Sequence, residues 1–280
     1  MTSTSAIHGD AMKDDVSLEE AVSHSPARIG PTACARQTAF IPTHLAALDQ
    51  WLGLGNIDRI LHQLAAHDDL IKSIETSVRD VDFFRKKHWD NPLQLGLYRA
   101  TLYAVTRSIG AQSIIETGVL HGLSSVFILQ GLQDNASNGR LISIDYPSPY
   151  EQGPSNADGF DDTLPPGCPA GWIVGDSYRR GWDLRLGRSR DLLDEAVDDL
   201  GELDLFVHDS EHTFQTMMFE FETIWPALRR GGILIADNIS VNTAFFDFCR
   251  AVQRIPLVMP CDPNDIKPAN TGIRFGLLQK

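Results

Sequence analysis

Between about residues 44 and 110, apolar side chains recur at steps of three and four: Ile57, Ile60, Leu61 and Leu64, then Leu70, Ile71, Ile74, Val78 and Val81, then Leu95, Tyr98, Leu102, Val105 and Ile109. That spacing gathers each set on one helical face, so three or four helices are predicted before the first strand. Beyond Gly110 the pattern changes. Short apolar runs at Ser113–Glu116, Leu141–Asp145, Trp182–Leu186, Leu203–His208 and Gly232–Asp237 are separated by stretches long enough for crossovers, with helices predicted over about Ser124–Leu132 and Thr213–Leu228. Strands alternating with helices in this way predict an α/β fold whose parallel sheet is covered on both faces. The second of those helices carries Phe214, Met217, Met218, Phe221, Ile224 and Leu228 on one stripe, and Arg229, Arg230 and Gly231–Gly232 are expected to end it.

Two regions lack this patterning. Residues 1–40 are rich in Ser, Ala, Thr and acidic side chains without a sustained period, which predicts a flexible tail; 41–91 then reads as a helical extension and 92–280 as the main domain. Residues 146–171 hold six prolines and four glycines, so a long helix is excluded and an extended loop is expected after the second strand.

Composition narrows the function classes. A formal charge of −13 and a pI near 5.0 argue against nucleic-acid or anionic-lipid partners, which are gripped by clustered Lys and Arg. The first fifteen residues lack the apolar stretch of a signal peptide, and no window reaches the length of a membrane helix, so no membrane partner and a cytoplasmic location are expected. Cys34, Cys168, Cys249 and Cys261 lie far apart without a CxxC pair, and read as reduced structural thiols.

The candidate chemistry sits where strands end. Ile114–Ser125, IIETGVLHGLSS, closes an apolar strand on Glu116, follows it with Gly118 and Gly122, and offers Ser124 and Ser125 to cap the next helix. Asp145 ends the following strand, LISID, where an acidic residue in a nucleotide-binding βαβ unit meets ribose hydroxyls. Asp209 lies in VHDSEHT, and Asp237 and Asn238 in ILIADNIS; 237 − 209 = 28 residues separate the two aspartates, room for one strand-helix-strand crossover. Three oxygen ligands for a hard cation would then meet at the sheet edge, with His212 beside them as a proton acceptor and Glu211 as a competing ligand. His208 alternates toward the core and reads as a hydrogen-bonded strand histidine. Trp172, Trp182, Trp225, Phe219 and Phe221 read as filling between helices and sheet, and the acidic run from Asp191 to Asp199 as a solvated face.

These residues resemble the class I S-adenosylmethionine-dependent methyltransferases, particularly the catechol- and caffeoyl-CoA-type O-methyltransferases. ETGVLHGLSS is similar to that family's ExGxxxGxS turn, LISID to its ribose strand and LIADNI to its metal-binding Asp-Asn strand; HDSEHT is closer still to macrocin-type sugar O-methyltransferases. The likeness runs from about residue 92 to 278. It implies a doubly wound, seven-stranded, mostly parallel Rossmann-like sheet completed by Thr271–Gln279 as an antiparallel last strand. By position it implies that Glu116 holds the methionine amino group of the donor, Gly118 and Ser124 its carboxylate end, Asp145 the ribose, and Ser189 in LRLGRS the adenine region, with Gly122 also in the cofactor-binding turn. Gly175–Asp176–Ser177 competes for that last role. Asp209, Asp237 and Asn238 would bind Mg²⁺, and His212 stands where catechol-type members have a lysine base.

The implied chemistry is methyl transfer to a hydroxyl of a small molecule. Acceptors with adjacent hydroxyls suit chelation by Mg²⁺, either on a sugar of a glycosylated metabolite or on a catechol ring, and the His212 resemblance favours sugar, as in secondary metabolism. Two alternatives keep the fold: an iron oxygenase resembling cephalosporin hydroxylase, although two histidines and a carboxylate are not evident, and a non-catalytic cofactor-binding protein. The N-terminal helices offer a surface for a homo-oligomer.

Overall fold

A computed structural model describes residues 42–79, 96–136, 138–146, 164–261 and 272–280. These belong to one unit, Ala33–Lys280; the other, Met1–Thr32, lies outside the described residues. Also outside them are the rest of the expected tail, the stripe positions Val81 and Leu95, most of the proline-rich loop, Cys34 and Thr271.

Four helices come first: α1 (Pro42–Leu52), α2 (Ile57–Ala65), α3 (Asp68–Arg79) and α4 (Leu97–Ser108). Then β1 (Ser113–Thr117), α5 (Leu123–Asp134) and β2 (Arg140–Asp145) alternate, and a 3-10 turn, Asp176–Gly181, leads into β3 (Trp182–Leu186). The chain continues through α6 (Ser189–Leu200), β4 (Leu203–His208), α7 (Phe214–Ala227), β5 (Leu228–Ala236), α8 (Ala244–Ala251), β6 (Leu257–Pro260) and β7 (Arg274–Gln279). The seven strands form one sheet in the order β3-β2-β1-β4-β5-β7-β6. All neighbours pair in parallel except β7, which runs antiparallel to both β5 and β6.

Successive strand residues point to opposite faces, and both faces are apolar. Ile114, Leu141, Leu205, Ile233 and Leu277 join a core with the N-terminal helices and α5, while Ile115, Ile142, Phe206, Leu234 and Leu278 join a second core with α6, α7 and α8. A strand buried on both sides reads as a continuous apolar run, which is why these runs stand out in the chain. Trp172 and Trp182 pack against the first core, and Trp225 and Phe219 against the second.

Four local expectations are corrected. Helix α7 ends at Ala227 and β5 starts at once with Leu228, four residues before the expected strand. The cation at that helix end is not Arg229 or Arg230. Lys280 Nζ donates to the carbonyl oxygens of Trp225, Pro226 and Leu228 at 2.7, 2.9 and 2.7 Å, whereas Arg229 pairs with Asp204. Phe214, expected on the buried stripe, is 40% exposed because it is the first residue of the helix. The acidic run on α6 is not wholly solvated either, since Arg185 of β3 pairs with Asp199 and approaches Glu195.

Candidate active site at the C-terminal strand ends

Beyond each parallel strand the backbone makes one more link to its neighbour. Gly118 N–H donates to Ile144 O, Asp209 N–H to Thr117 O and Asp237 N–H to His208 O, all at 2.8–2.9 Å. The segments after β1, β4 and β5 are therefore locked side by side. Gly118 has φ +83°, and a Cβ there would lie 1.9 Å from Asp209 O, so only glycine lets the β1 turn rest on the β4 turn. Gly122, at φ +88°, would drive a Cβ to within 2.7 Å of Val174 and 3.0 Å of Gly171. At both glycines the close approach is made by the protein's own backbone and side chains.

Gly122 is also the N-cap of α5, and no side chain caps that helix. This corrects the expectation for Ser124 and Ser125. Ser125 Oγ instead donates to Glu116 Oε2 at 2.6 Å, and Ser143 Oγ donates to the same oxygen at 2.8 Å. Trp182 Nε1 donates to Ser143 Oγ at 2.9 Å. Glu116 is fully buried, and burial pushes its carboxyl above the usual range against the pull of these hydroxyls. Asp145 accepts from the N–H groups of Val119 (3.2 Å) and Leu120 (3.3 Å), so it props up the turn after β1. His121 in that turn accepts from Trp172 Nε1 at 3.0 Å. Ser189 opens α6 and directs its hydroxyl toward Glu220, while the side chain of Asp176, in the competing Gly175–Asp176–Ser177 turn, is 98% exposed.

On the other side of Gly118 the structure assembles the acidic cluster. Asp209, His212 and Asp237 each place one ligand atom within 4.8 Å of the others. His212 Nε2 lies 3.8 Å from Asp209 Oδ1 and 3.4 Å from Asn238 Nδ2, so all four expected residues converge. Asn238 holds φ +51°, a left-handed conformation that Asn tolerates better than most residues. Asn242 Nδ2 donates to His212 O at 2.9 Å and ties the loop after β5 to that after β4. Glu211 turns away, accepting from Thr216 Oγ1 at 3.1 Å.

Burial, the Asp237 charge and then Glu116 push the Asp209 carboxyl well above its usual range, opposed by Arg99. Two carboxylates this close repel unless a cation or a proton sits between them. The donor set of two carboxylates, an amide and an imidazole therefore fits a divalent ion such as Mg²⁺, which prefers oxygen ligands. It offers one histidine and two carboxylates rather than the two histidines and one carboxylate of non-haem iron triads. His208 is absent from it; as expected it is a buried, hydrogen-bonded strand residue, with Nδ1 2.7 Å from Glu220 Oε2.

The chain pattern did not single out three further neighbours. Cys261 Sγ donates to Asp237 Oδ1 at 3.1 Å, and burial together with the two aspartates pushes its thiol far up. Tyr98, on the inner face of α4, is raised by burial and then by Asp209 and Asp237, and its hydroxyl is buried with no partner among the described residues. Arg99 follows it and bears on Asp209. Tyr98 sat on an apolar stripe and Cys261 outside any motif, so neither carried a signal.

A family model described as a methyltransferase domain matches residues 115–239, a span that encloses every residue expected to act. The fold of the whole chain, with its seven-stranded sheet, is similar to that of the solved O-methyltransferase NovP, at TM-score 0.52 and 15% identity, over 76% of this chain and 97% of that one. An O-methyltransferase from Bacillus cereus in complex with SAH is similar at TM-score 0.49 and 15% identity, covering 86% of this chain and all of the other. TomG from Streptomyces achromogenes, an O-methyltransferase of tomaymycin synthesis in complex with SAM, is similar at 0.49 and 13%, over 76% and 90%. No curated protein matches by sequence. Among the described residues no helix is long and apolar enough to cross a membrane.

Proposed function

We propose that the methyltransferase domain moves a methyl group from S-adenosylmethionine to a hydroxyl of a small molecule, with a divalent cation, Mg²⁺ by its donor set, held by Asp209, Asp237 and Asn238. The observation that carries this reading is the Asp209–His212–Asp237 cluster standing directly against the Gly118 turn. Cation and nucleoside sites would then share a wall, which suits an in-line transfer between them.

On the donor side, the uncapped N-terminus of α5 presents backbone N–H groups to the carboxylate end of the methionine at Gly118, Gly122 and Ser124. Glu116, braced by Ser125 and Ser143, faces the amino group; Asp145 takes the ribose and the turn at Ser189 the adenine region. On the acceptor side a bound cation would chelate neighbouring hydroxyls and lower the pKa of one. His212 takes that proton as the oxygen attacks the methyl carbon. The electron pair of the breaking S–CH₃ bond stays on sulfur, leaving S-adenosylhomocysteine and a methyl ether. Adjacent hydroxyls on a sugar satisfy both chelation and the imidazole base.

The test is formation of S-adenosylhomocysteine from the full chain with a panel of glycosides and catechols, with and without EDTA. Turnover that needs a vicinal diol and stops in EDTA is expected. Full turnover in EDTA would reject the cation, and an absence of product with every acceptor would reject the reaction.

A further inference from the structure

Behind the acidic cluster lies a second, fully buried polar group that the transfer itself does not use. Glu220, on the inner face of α7, is 0% exposed between Phe219 and Phe221. Its Oε2 accepts from Thr117 Oγ1 at 2.6 Å and lies 2.7 Å from His208 Nδ1; its Oε1 accepts from Ser210 Oγ at 2.8 Å. Thr117 is the last residue of β1 and precedes Gly118, while His208 and Ser210 flank Asp209. One carboxylate thus ties the donor turn to the metal loop.

The second half of the observation is the ring stack. His208 and His212 stand edge to face, centroids 5.3 Å apart at 80°, and His208 Nε2 is buried with no partner among the described residues. The attraction of the His208 imidazole and the donated hydroxyls, set against burial, hold the Glu220 carboxyl below its usual range. A carboxylate in that state only accepts, so the hydrogen between it and His208 belongs to Nδ1. The tautomer and ring plane of His208 are thereby set, and the edge-on contact passes that orientation to His212.

We propose that Glu220 is a positioning residue: through His208 and Ser210 it holds the His212 imidazole and the Asp209 loop in register with the donor turn at Thr117. This rests on the methyl-transfer reading given above. It goes beyond it by assigning the reaction a helix residue that touches neither cation, donor nor acceptor.

Glu220→Gln tests it, because the amide keeps the shape and can still accept from His208 and Thr117 while losing the charge. Turnover is expected to fall about 10- to 100-fold, the range typical of groups that orient metal-site residues, with the acceptor KM within about threefold of wild type. An independent readout is the ¹⁵N-histidine spectrum of the full chain without metal. The wild type is expected to show His208 protonated on Nδ1, and the variant to displace the ring signals of His212, assigned with His212→Ala. Unchanged turnover, or a loss that merely follows the fraction unfolded, overturns the proposal. If the wild type transfers no methyl group, the reaction reading fails, and the His212 signals alone decide: displaced in the variant they support the coupling, unmoved they reject it. Should Glu220→Gln fail to fold, Ser210→Ala deletes one hydroxyl and carries the same test, with about a threefold loss and displaced His212 signals expected and no change in either overturning the idea.

Discussion

The two halves of the strand-end edge surround their buried acids differently. At β1 and β2 the acids are enclosed by donors: Glu116 receives two hydroxyls and Asp145 two backbone N–H groups. At β4 and β5 the acids face one another. Asp209 and Asp237 share a cluster with His212, and the balance of burial and like charge raises the Asp209 carboxyl. One oxygen of the first half, Glu116 Oε1, is nevertheless buried with no hydrogen-bond partner among the described residues, and burial raises that carboxyl too. In the proposed reading the second half is completed by a cation between the two carboxylates.

That contrast can be broken most sharply at its acidic end. Asp237→Ala should abolish turnover, a loss of at least about a hundredfold, while donor binding measured by calorimetry stays near wild type. Because the change removes a repelling neighbour of Asp209, the metal-free variant should melt no lower than the wild type. A fall of several degrees would show that the acidic half contributes to the fold after all.

His212→Ala comes next, with turnover reduced about a hundredfold, within the range for a general base, and partial recovery as pH rises. An equal loss in Mg²⁺ affinity by titration would move His212 from base to ligand, a role that its distance of 3.8 Å from Asp209 also allows.

Asp145→Ala should weaken donor affinity about tenfold and lower stability by about 1 kcal/mol, as two N–H groups lose a charged acceptor. The metal response should be unchanged, and a changed response would couple the halves more tightly than their geometry does.

The pH dependence of the Mg²⁺ effect is smaller and separates the halves by sign. Asp209 has a raised folded pKa, so its protonated form favours the metal-free fold. That contribution is present below the ordinary carboxylate pKa of about 4 and is lost as pH rises through the elevated folded value. Mg²⁺ should consequently raise the melting temperature more at pH 8 than at pH 5.5, by a few degrees, as read by calorimetry. Asp204, at the start of β4, behaves oppositely. Arg229 and the N–H groups of Gln112 and Ser113 outweigh its burial and lower its carboxyl, so its contribution is present above about pH 4 and fades as pH falls through the folded value. Asp204→Asn should cost about 1–3 kcal/mol near neutral pH and leave turnover of the folded enzyme untouched.

Much of the site was legible in the chain because it sits at strand ends. Apolar runs buried on both faces mark the strands, and the acid that closes each run must lie at the carboxyl edge, where a doubly wound sheet binds its ligands. Glu116, Asp145, Asp209 and Asp237 were placed at the edge by that rule. Ser124 and Ser125 were misjudged as caps because a hydroxyl near a helix start has two uses, and only the position of Glu116 across the turn selected the second. The helix cation was misassigned for a similar reason: Arg229 is adjacent in sequence, but Asp204 captures it and leaves the carbonyls to Lys280, 52 residues beyond Leu228.

The order of apolar and polar residues by itself determined the sheet, its two covered faces and the acids at its edge, because period and burial are local properties of a strand. Tertiary structure alone decided which acids are shielded and which repel. It also recruited Glu220, Cys261, Tyr98 and Arg99, since a side chain's charge state depends on the neighbours that folding brings within a few ångströms, whatever their separation along the chain.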